Sequence, residues 1–244
     1  MNLLNIISEI EKVDPEANER YKFYSRRNLI KFGTSLAAAA VPAFVATTAN
    51  QAFAQGTPSA AAVAVLQYAL TLEYLEDDFY AKGLAAANLI PASDRTLISQ
   101  ISKHEAAHVT LLKGALGTAA SAKPTFKYPA TTFTDYPTFL LTAQTLEDVG
   151  VQAYKGQATE LINDKDILQV ALQIHSVEAR HASEVRRLRG QKGWVSNPAQ
   201  TTFNQGGVDL KALNLGKSDD ALREAFDEPL TKAQVLALAA PFLG

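Results

Sequence analysis

Apolar side chains recur every three or four residues in four long segments of the chain, which is the period of an amphipathic helix. The segments cover residues 58–88, 94–116, 135–162 and 166–189. On each predicted helix the apolar stripe is interrupted by carboxylates or histidines, residues that seldom lie on a face packed into a core. The pattern predicts an all-α fold with polar chemistry on the inner faces of its helices.

The predicted inner faces follow from alternating steps of three and four residues. Helix one presents Val63, Leu66, Leu70, Glu73, Asp77, Tyr80 and Leu84. Helix two presents Ile98, Ile101, Glu105, His108, Leu112 and Ala115. Helix three presents Leu140, Gln144, Glu147, Val151 and Tyr154. Helix four presents Leu168, Leu172, His175, Glu178, His181, Val185 and Leu188.

The lengths of the connections predict how these helices are arranged. A short turn at 91–94, expected to cap helix two, and another at 163–166 make two antiparallel pairs. The linker 117–134 is long enough to run from one end of the molecule to the other, which predicts a four-helix bundle with one long crossover. Residues 191–244 are expected to form an extension packed on the bundle, with a short helix that starts near Thr231 and stops at Pro241.

The polar positions of the inner faces belong to an internal repeat. Each copy supplies a lone Glu and, further along, a Glu-x-x-His sequence: Glu73, Glu105 and His108 in the first copy, and Glu147, Glu178 and His181 in the second. Corresponding positions are 74, 73 and 73 residues apart, and a Tyr follows each lone Glu by seven residues. Such self-similarity indicates two copies of one helical hairpin. The six side chains are the ligand set of a dinuclear metal site inside a four-helix bundle.

The residue types suit this chemistry. Glu and His three residues apart lie on one helical face, so both can bind one metal ion. Burying four carboxylates is very costly unless their charge is balanced, and two divalent cations would balance it. We expect Glu105 and Glu178 to bridge the ions, Glu73 and Glu147 to be terminal ligands, and one His to bind each ion. The alternative is that these residues lie on solvated faces, which their apolar neighbours on the same stripes disfavour.

Two further acids of helix one follow Glu73 by three and four residues. Glu76 lies off the predicted stripe and has Gly150 at its repeat position, so we expect it outside the ligand set. Direct contact with the metal is the alternative, because residues three apart can share a helical face and Glu76 follows Glu73 by three. Asp77 lies on the stripe and either orients a ligand histidine or forms a surface ion pair.

The remaining histidines and two tyrosines also fall near the predicted ligands. We expect His104 to pack between helices and His175 to be a hydrogen-bonded core residue, with a third metal-side histidine or a proton carrier as the alternative. Tyr80 and Tyr154 are expected to be buried with their hydroxyls hydrogen-bonded. The alternatives are that each bonds a ligand carboxylate or is redox-active.

Composition limits the class of site and of partner. The 244-residue chain contains no Cys, which excludes disulfides and thiolate ligands and leaves a nitrogen and oxygen site suited to iron, manganese or zinc. Its formal net charge is −2, so no nucleic-acid footprint is present.

The N-terminus carries the pattern of an export signal. Residues 25–31 read SRRNLIK, which resembles the twin-arginine signal. A mildly apolar stretch follows, and Ala52-Phe53-Ala54 forms an A-x-A cleavage site before Gln55. We therefore expect a signal segment at 1–54, a bundle at 55–190 and an extension at 191–244, with a periplasmic or extracellular product. An uncleaved anchor or a chance Arg pair is the alternative.

The six ligand positions, the sequence TLEYLEDDFY, the crossover linker and the C-terminal FDEPLTKAQVLALAAPF together resemble bacterial ferritin-like domain proteins, close to the desiccation-related group. The resemblance implies a ferritin-type bundle with two iron or manganese ions per chain, and activities such as ferroxidase, peroxidase or catalase in which the six ligands are catalytic. A non-enzymatic stress protein stabilised by its metal is the alternative, and a storage cage is a third. Expected partners are oxygen or peroxide and the twin-arginine machinery, while homo-oligomerisation stays open.

Overall fold

The computed structural model describes residues 58–196, 204–205, 208–209, 211–225, 227 and 229–244. The predicted signal segment 1–54 lies outside these residues. Four long helices form the bundle: α1 (Ala60–Ala85), α2 (Ala92–Leu116), α3 (Tyr136–Gln157) and α4 (Lys165–Leu188). A 3₁₀ turn at Ala158–Leu161 follows α3. The predicted all-α four-helix bundle is confirmed.

Local sequence explains where the helices begin. The side chain of Ser59 accepts a hydrogen bond from the Ala62 amide, and that of Asp135 accepts one from the Thr138 amide. Such caps satisfy amides that have no partner inside the helix. The predicted turn at 91–94 does begin α2, but it caps the helix without a side chain: α2 starts after Pro91, whose backbone carbonyl accepts from two amides of the first turn.

The linker after α2 runs along the whole bundle. Ser121 near its start bonds Gln67 early in α1, and the Tyr128 hydroxyl donates to Asp78 much later in α1. At its end, Phe139 of α3 stacks on Phe79 with ring centroids 4.7 Å apart. The linker therefore travels parallel to α1 and delivers α3 to the opposite end from the close of α2, as the predicted single crossover requires.

The buried face of α4 differs from the predicted one in its first half. Leu172, expected inside, is 46% exposed, whereas Ala171 and Ile174 are buried. Counting back from Glu178 by four and then three residues reaches Ile174 and Ala171, so the correct stripe lies one residue to the side of the predicted one. The second half of the stripe, from Glu178 onward, lies inside as predicted.

The C-terminal residues pack against the bundle through a short helix. Two-residue strands β1 (Asn204–Gln205) and β2 (Val208–Asp209) pair antiparallel, and helices α5 (Asp219–Glu224) and α6 (Lys232–Ala239) follow. α6 starts after a capping box made by Thr231 and Gln234, in agreement with the predicted start. Its fully buried Val235 packs in one apolar cluster with Leu72 of α1 and Val149 of α3.

The end of the chain also joins the crossover linker. The Gly244 amide donates to the Thr125 carbonyl, and the Lys127 amide donates to the Phe242 carbonyl. Within the described part of the chain, no helix is long and apolar enough to cross a membrane.

Candidate metal centre

The four bundle helices bring the six predicted ligand residues together at the centre of the molecule. Their ligand-type atoms form two groups, and within each group the atoms lie within 4.8 Å of one another. The first group contains Glu73, Glu105, His108 and Glu178, and the second contains Glu105, Glu147, Glu178 and His181. Glu105 and Glu178, the two residues expected to bridge, belong to both groups.

Glu105 faces the two imidazoles through different oxygens. Its Oε2 lies 3.1 Å from Nδ1 of His108, and its Oε1 lies 2.8 Å from Nδ1 of His181. Nδ1 of His108 also lies 3.1 Å from Oε1 of Glu178. A carboxylate placed between two imidazoles in this way can bind two ions at once.

The two lone glutamates occupy matching positions on the two sides of the cluster. Oε2 of Glu73 lies 3.1 Å from Nδ1 of His108, and Oε2 of Glu147 lies 3.3 Å from Nδ1 of His181. The outer oxygen of each accepts a hydrogen bond from the tyrosine of the other repeat: Tyr154 donates to Glu73 over 2.5 Å, and Tyr80 donates to Glu147. The exchange of tyrosines gives the cluster an approximate two-fold symmetry and leaves one oxygen of each glutamate pointing inward.

Buried polar atoms without hydrogen-bond partners are concentrated here. Among the described residues they include Oε1 of Glu105, Oε2 of Glu147, both oxygens of Glu178 and Nδ1 of His181. Native proteins leave few buried polar atoms unpaired, and a bound ion is one of the ordinary explanations. Nδ1 of His181 and Oε1 of Glu105 are close but not aligned as a hydrogen bond. These nitrogen and oxygen atoms lie close together without bonding one another, an arrangement that suits the binding of two cations between them.

Burial also shifts the acidity of the cluster. Burial and then the charge of Glu105 raise the pKa of Glu178 well above its ordinary value. Burial raises the pKa of Glu73 to about 7, partly opposed by His108, and it raises the pKa of Glu147 as well. Carboxyls that hold protons in the metal-free protein must lose them when a cation binds, so metal binding is coupled to proton release.

The pKa values of His181, His108 and Glu105 shift in the direction opposite to the effect of burial. Burial alone would lower the pKa of His181, but the charge of Glu147 and the close contact with the Glu105 carboxylate raise it to about 11. Burial would lower the pKa of His108 too, but Glu73, Glu105 and Glu178 together outweigh burial and raise it well above its ordinary value. Burial would raise the pKa of Glu105, but both imidazoles together hold it well below its usual range. In the metal-free cluster the ionised form of Glu105 and the charged forms of the two imidazoles therefore stabilise one another.

Glu76 belongs to neither ligand group, as the sequence predicts, but it is buried beside the cluster although it lies off the predicted stripe. It is only 3% exposed, and burial followed by repulsion from Glu178 raises its pKa well above the ordinary value. A Cβ atom at Gly150 would lie 3.1 Å from Oε2 of Glu178 and 3.2 Å from Oε1 of Glu76. The absent side chain at Gly150 makes room for Glu76, so this mismatch in the repeat was the signal that could have located it.

The other candidate residues divide between the cluster and its surroundings. Nδ1 of His104 lies 2.9 Å from Nε2 of His181, so His104 contacts the cluster from outside as well as packing between α2 and α4. His175 belongs to neither ligand group, and its Nε2 is buried without a hydrogen-bond partner, so the expected hydrogen-bonded core role is wrong. Burial followed by the charge of Lys155 lowers its pKa. Asp77 forms an ion pair with Lys123 of the crossover linker at 2.9 Å, which is the surface role that the sequence left as an alternative.

Comparison with known families agrees with this architecture. A ferritin-like domain model matches residues 61–191, a range that starts in α1 and ends just after α4 and so includes all six ligand positions. No curated protein matches the chain. The matched range covers more than half of the 244 residues, and the protein therefore belongs to the ferritin-like domain family.

Proposed function

We propose that this protein binds two iron or manganese ions at the cluster and reacts with oxygen or peroxide outside the cytoplasm, under oxidative or desiccation stress. The observation that carries the proposal is the pair of overlapping ligand groups that share Glu105 and Glu178. When bound, two redox-active ions would together supply the two electrons that reduce a peroxide to water.

The chain itself supplies orientation and exclusion of water. Glu73, Glu105, Glu147 and Glu178 are fully buried. The hydroxyls of Tyr80 and Tyr154 hold the outer oxygens of the two terminal carboxylates, so their inner oxygens stay directed at the cluster. Ligands held in place before the reaction need little rearrangement during it, and a dry site strengthens every electrostatic interaction within it.

Metal content and turnover test the proposal together. Protein purified from cells supplied with both iron and manganese is expected to contain about two ions per chain by elemental analysis. It is expected to consume hydrogen peroxide or oxygen, and Glu105→Ala should abolish both metal binding and turnover. Glu160→Ala, at an exposed glutamate outside the cluster, is the matched control. A metal content near zero in the unmodified protein would overturn the proposal.

A non-enzymatic role is the second candidate, and the complete burial of the four carboxylates favours it. In that case metal would raise the free energy of unfolding without any turnover. Metal-loaded protein that binds two ions but consumes neither oxygen nor peroxide would select this candidate.

Export by the twin-arginine route is the remaining part of the proposal, and its support is the sequence around Arg26 and Arg27. Replacing both with Lys is expected to leave the precursor inside the cell, and exported protein should begin at Gln55 when sequenced from its N-terminus. Unchanged export of the Lys-Lys variant would rule out this route.

A further inference from the structure

His181 has a polar partner on the side that faces away from the cluster. Its Nε2 lies 2.9 Å from Nδ1 of His104, and the two ring planes are within 10° of parallel. Nε2 of His104 lies in turn 2.8 Å from Nε2 of the Gln100 side-chain amide. Gln100 is exposed and His104 is half-buried, so three side chains in a row connect the buried cluster to the surface.

The hydrogens in this row can be placed from the chemistry of each group. If Nδ1 of His181 offers its lone pair to a metal ion, the ring proton lies on Nε2 and is donated to His104. Nδ1 of His104 is then the acceptor, and its own proton lies on Nε2. That proton requires an acceptor, so the Gln100 amide must be turned over from its orientation in the structure, with its oxygen instead of its nitrogen facing His104. The oxygen and nitrogen of a side-chain amide are assigned from the hydrogen-bond network.

The internal repeat shows that this arrangement exists on one side of the cluster only. The position equivalent to His104, 73 residues further along, is Val177, whose side chain has no hydrogen-bonding group. The position equivalent to Gln100 is Gln173, so the second copy keeps the amide but lacks the histidine. The six predicted ligands are approximately two-fold symmetric, but the hydrogen-bond partner that His104 gives to His181 has no equivalent in the second repeat.

We propose that His104 is a positioning residue, which accepts the Nε2 proton of His181, holds Nδ1 toward Glu105 and Glu147, and makes this metal position the tighter of the two. A partner that bonds the outer nitrogen of a ligand histidine fixes its tautomer and ring orientation, and removing it typically weakens metal binding about 10- to 100-fold. The inference rests on the proposed dinuclear centre.

Stepwise binding of Mn²⁺ to the metal-free full-length chain provides the test, with free Mn²⁺ measured by its electron paramagnetic resonance signal. His104→Val copies the residue of the second repeat and removes the acceptor. His104→Asn keeps an acceptor oxygen close to where Nδ1 lies. His175→Val makes the same replacement on α4 outside the two ligand groups and is the matched control.

The unmodified protein and His175→Val are expected to bind two ions with unequal affinities. His104→Val should weaken the tighter step about 10- to 100-fold and leave the other within a few-fold, while His104→Asn should restore most of the loss. The Mn²⁺-binding step that weakens in His104→Val should be the same step that is lost in His181→Ala.

Two results would overturn the role of His104 while leaving the dinuclear centre intact. One is unchanged binding by His104→Val. The other is a result in which His104→Val and His104→Asn both weaken the two binding steps to the same extent. That result would indicate that His104 has a packing role alone. Absence of Mn²⁺ binding by the unmodified protein would instead overturn the dinuclear centre itself.

Discussion

Removal of metal is expected to make the stability of this protein depend steeply on pH, because the cluster must then hold protons in place of cations. Burial raises the pKa of Glu73 to about 7 in the folded chain, against an ordinary value of 4.5. The folded state therefore binds more protons than the unfolded state between these two values. Linkage requires the free energy of unfolding to rise as pH falls through this window and to level off below it.

The histidines of the cluster act in the same direction. The pKa of His181 is raised to about 11, from an ordinary 6.5, because Glu147 and Glu105 outweigh burial. Its contribution is fully present below pH 6.5 and is lost as pH rises toward 11. Glu105, whose pKa is depressed by both histidines, opposes the trend only where pH falls below its ordinary 4.5. The metal-free protein should therefore be most stable near pH 5.

The size of the effect can be worked out for one group. A buried carboxyl with a pKa of about 7 when folded and 4.5 when unfolded contributes about 2 to 3 kcal/mol between pH 8 and pH 5. Glu178 and Glu76 shift in the same direction, so the whole cluster should exceed this figure.

Urea unfolding of chelator-treated protein at pH 8, 6.5 and 5, followed by circular dichroism, measures the dependence. Glu73→Gln should raise the unfolding free energy of the metal-free protein at pH 8 by about 2 to 3 kcal/mol and change it little at pH 5. The exposed control Glu160→Gln should leave the slope unchanged. A free energy that stays flat or falls between pH 8 and pH 5 would refute a shared buried cluster.

Three further results are expected. Glu105→Ala should remove both ions, whereas His108→Ala should weaken mainly one, because only the carboxylate belongs to both ligand groups; elemental analysis distinguishes them. Tyr154→Phe should steepen the pH dependence of the metal-free protein, because its hydrogen bond favours the ionised form of Glu73; the same urea series would detect this. Gly156→Ala should lower the unfolding free energy by about 1 to 3 kcal/mol in urea, because the new Cβ would lie 1.8 Å from the Leu230 carbonyl oxygen and displace the segment that leads into α6.

The cluster is nearly symmetric in its ligands and asymmetric in what surrounds them. Glu76 and His104 of the first copy have Gly150 and Val177 as their equivalents in the second. Glu76 adds a buried carboxylate beside Glu178, and His104 adds a hydrogen-bond partner to His181. Both differences give the two proposed metal positions unequal surroundings.

The sequence by itself determined the four helices, the crossover and the six residues that meet in the cluster. Helical period is a local property, and a polar residue that repeats on an apolar stripe stands out without any knowledge of the fold. The sequence also placed Tyr80 and Tyr154 near the cluster, since each follows a glutamate of the cluster by seven residues. Which carboxylate each tyrosine would bond was not visible in the sequence, because that depends on which helices become neighbours.

Only the tertiary structure decided the positions that depend on packing between helices. Glu76 is buried because Gly150 of another helix leaves room for it, and Leu172 is exposed because α4 turns a neighbouring stripe toward the core. His104 reaches His181 across two helices that are far apart in sequence. Periodicity assigns a residue to a face of its own helix, but burial and contact depend on what the neighbouring helix places opposite that face.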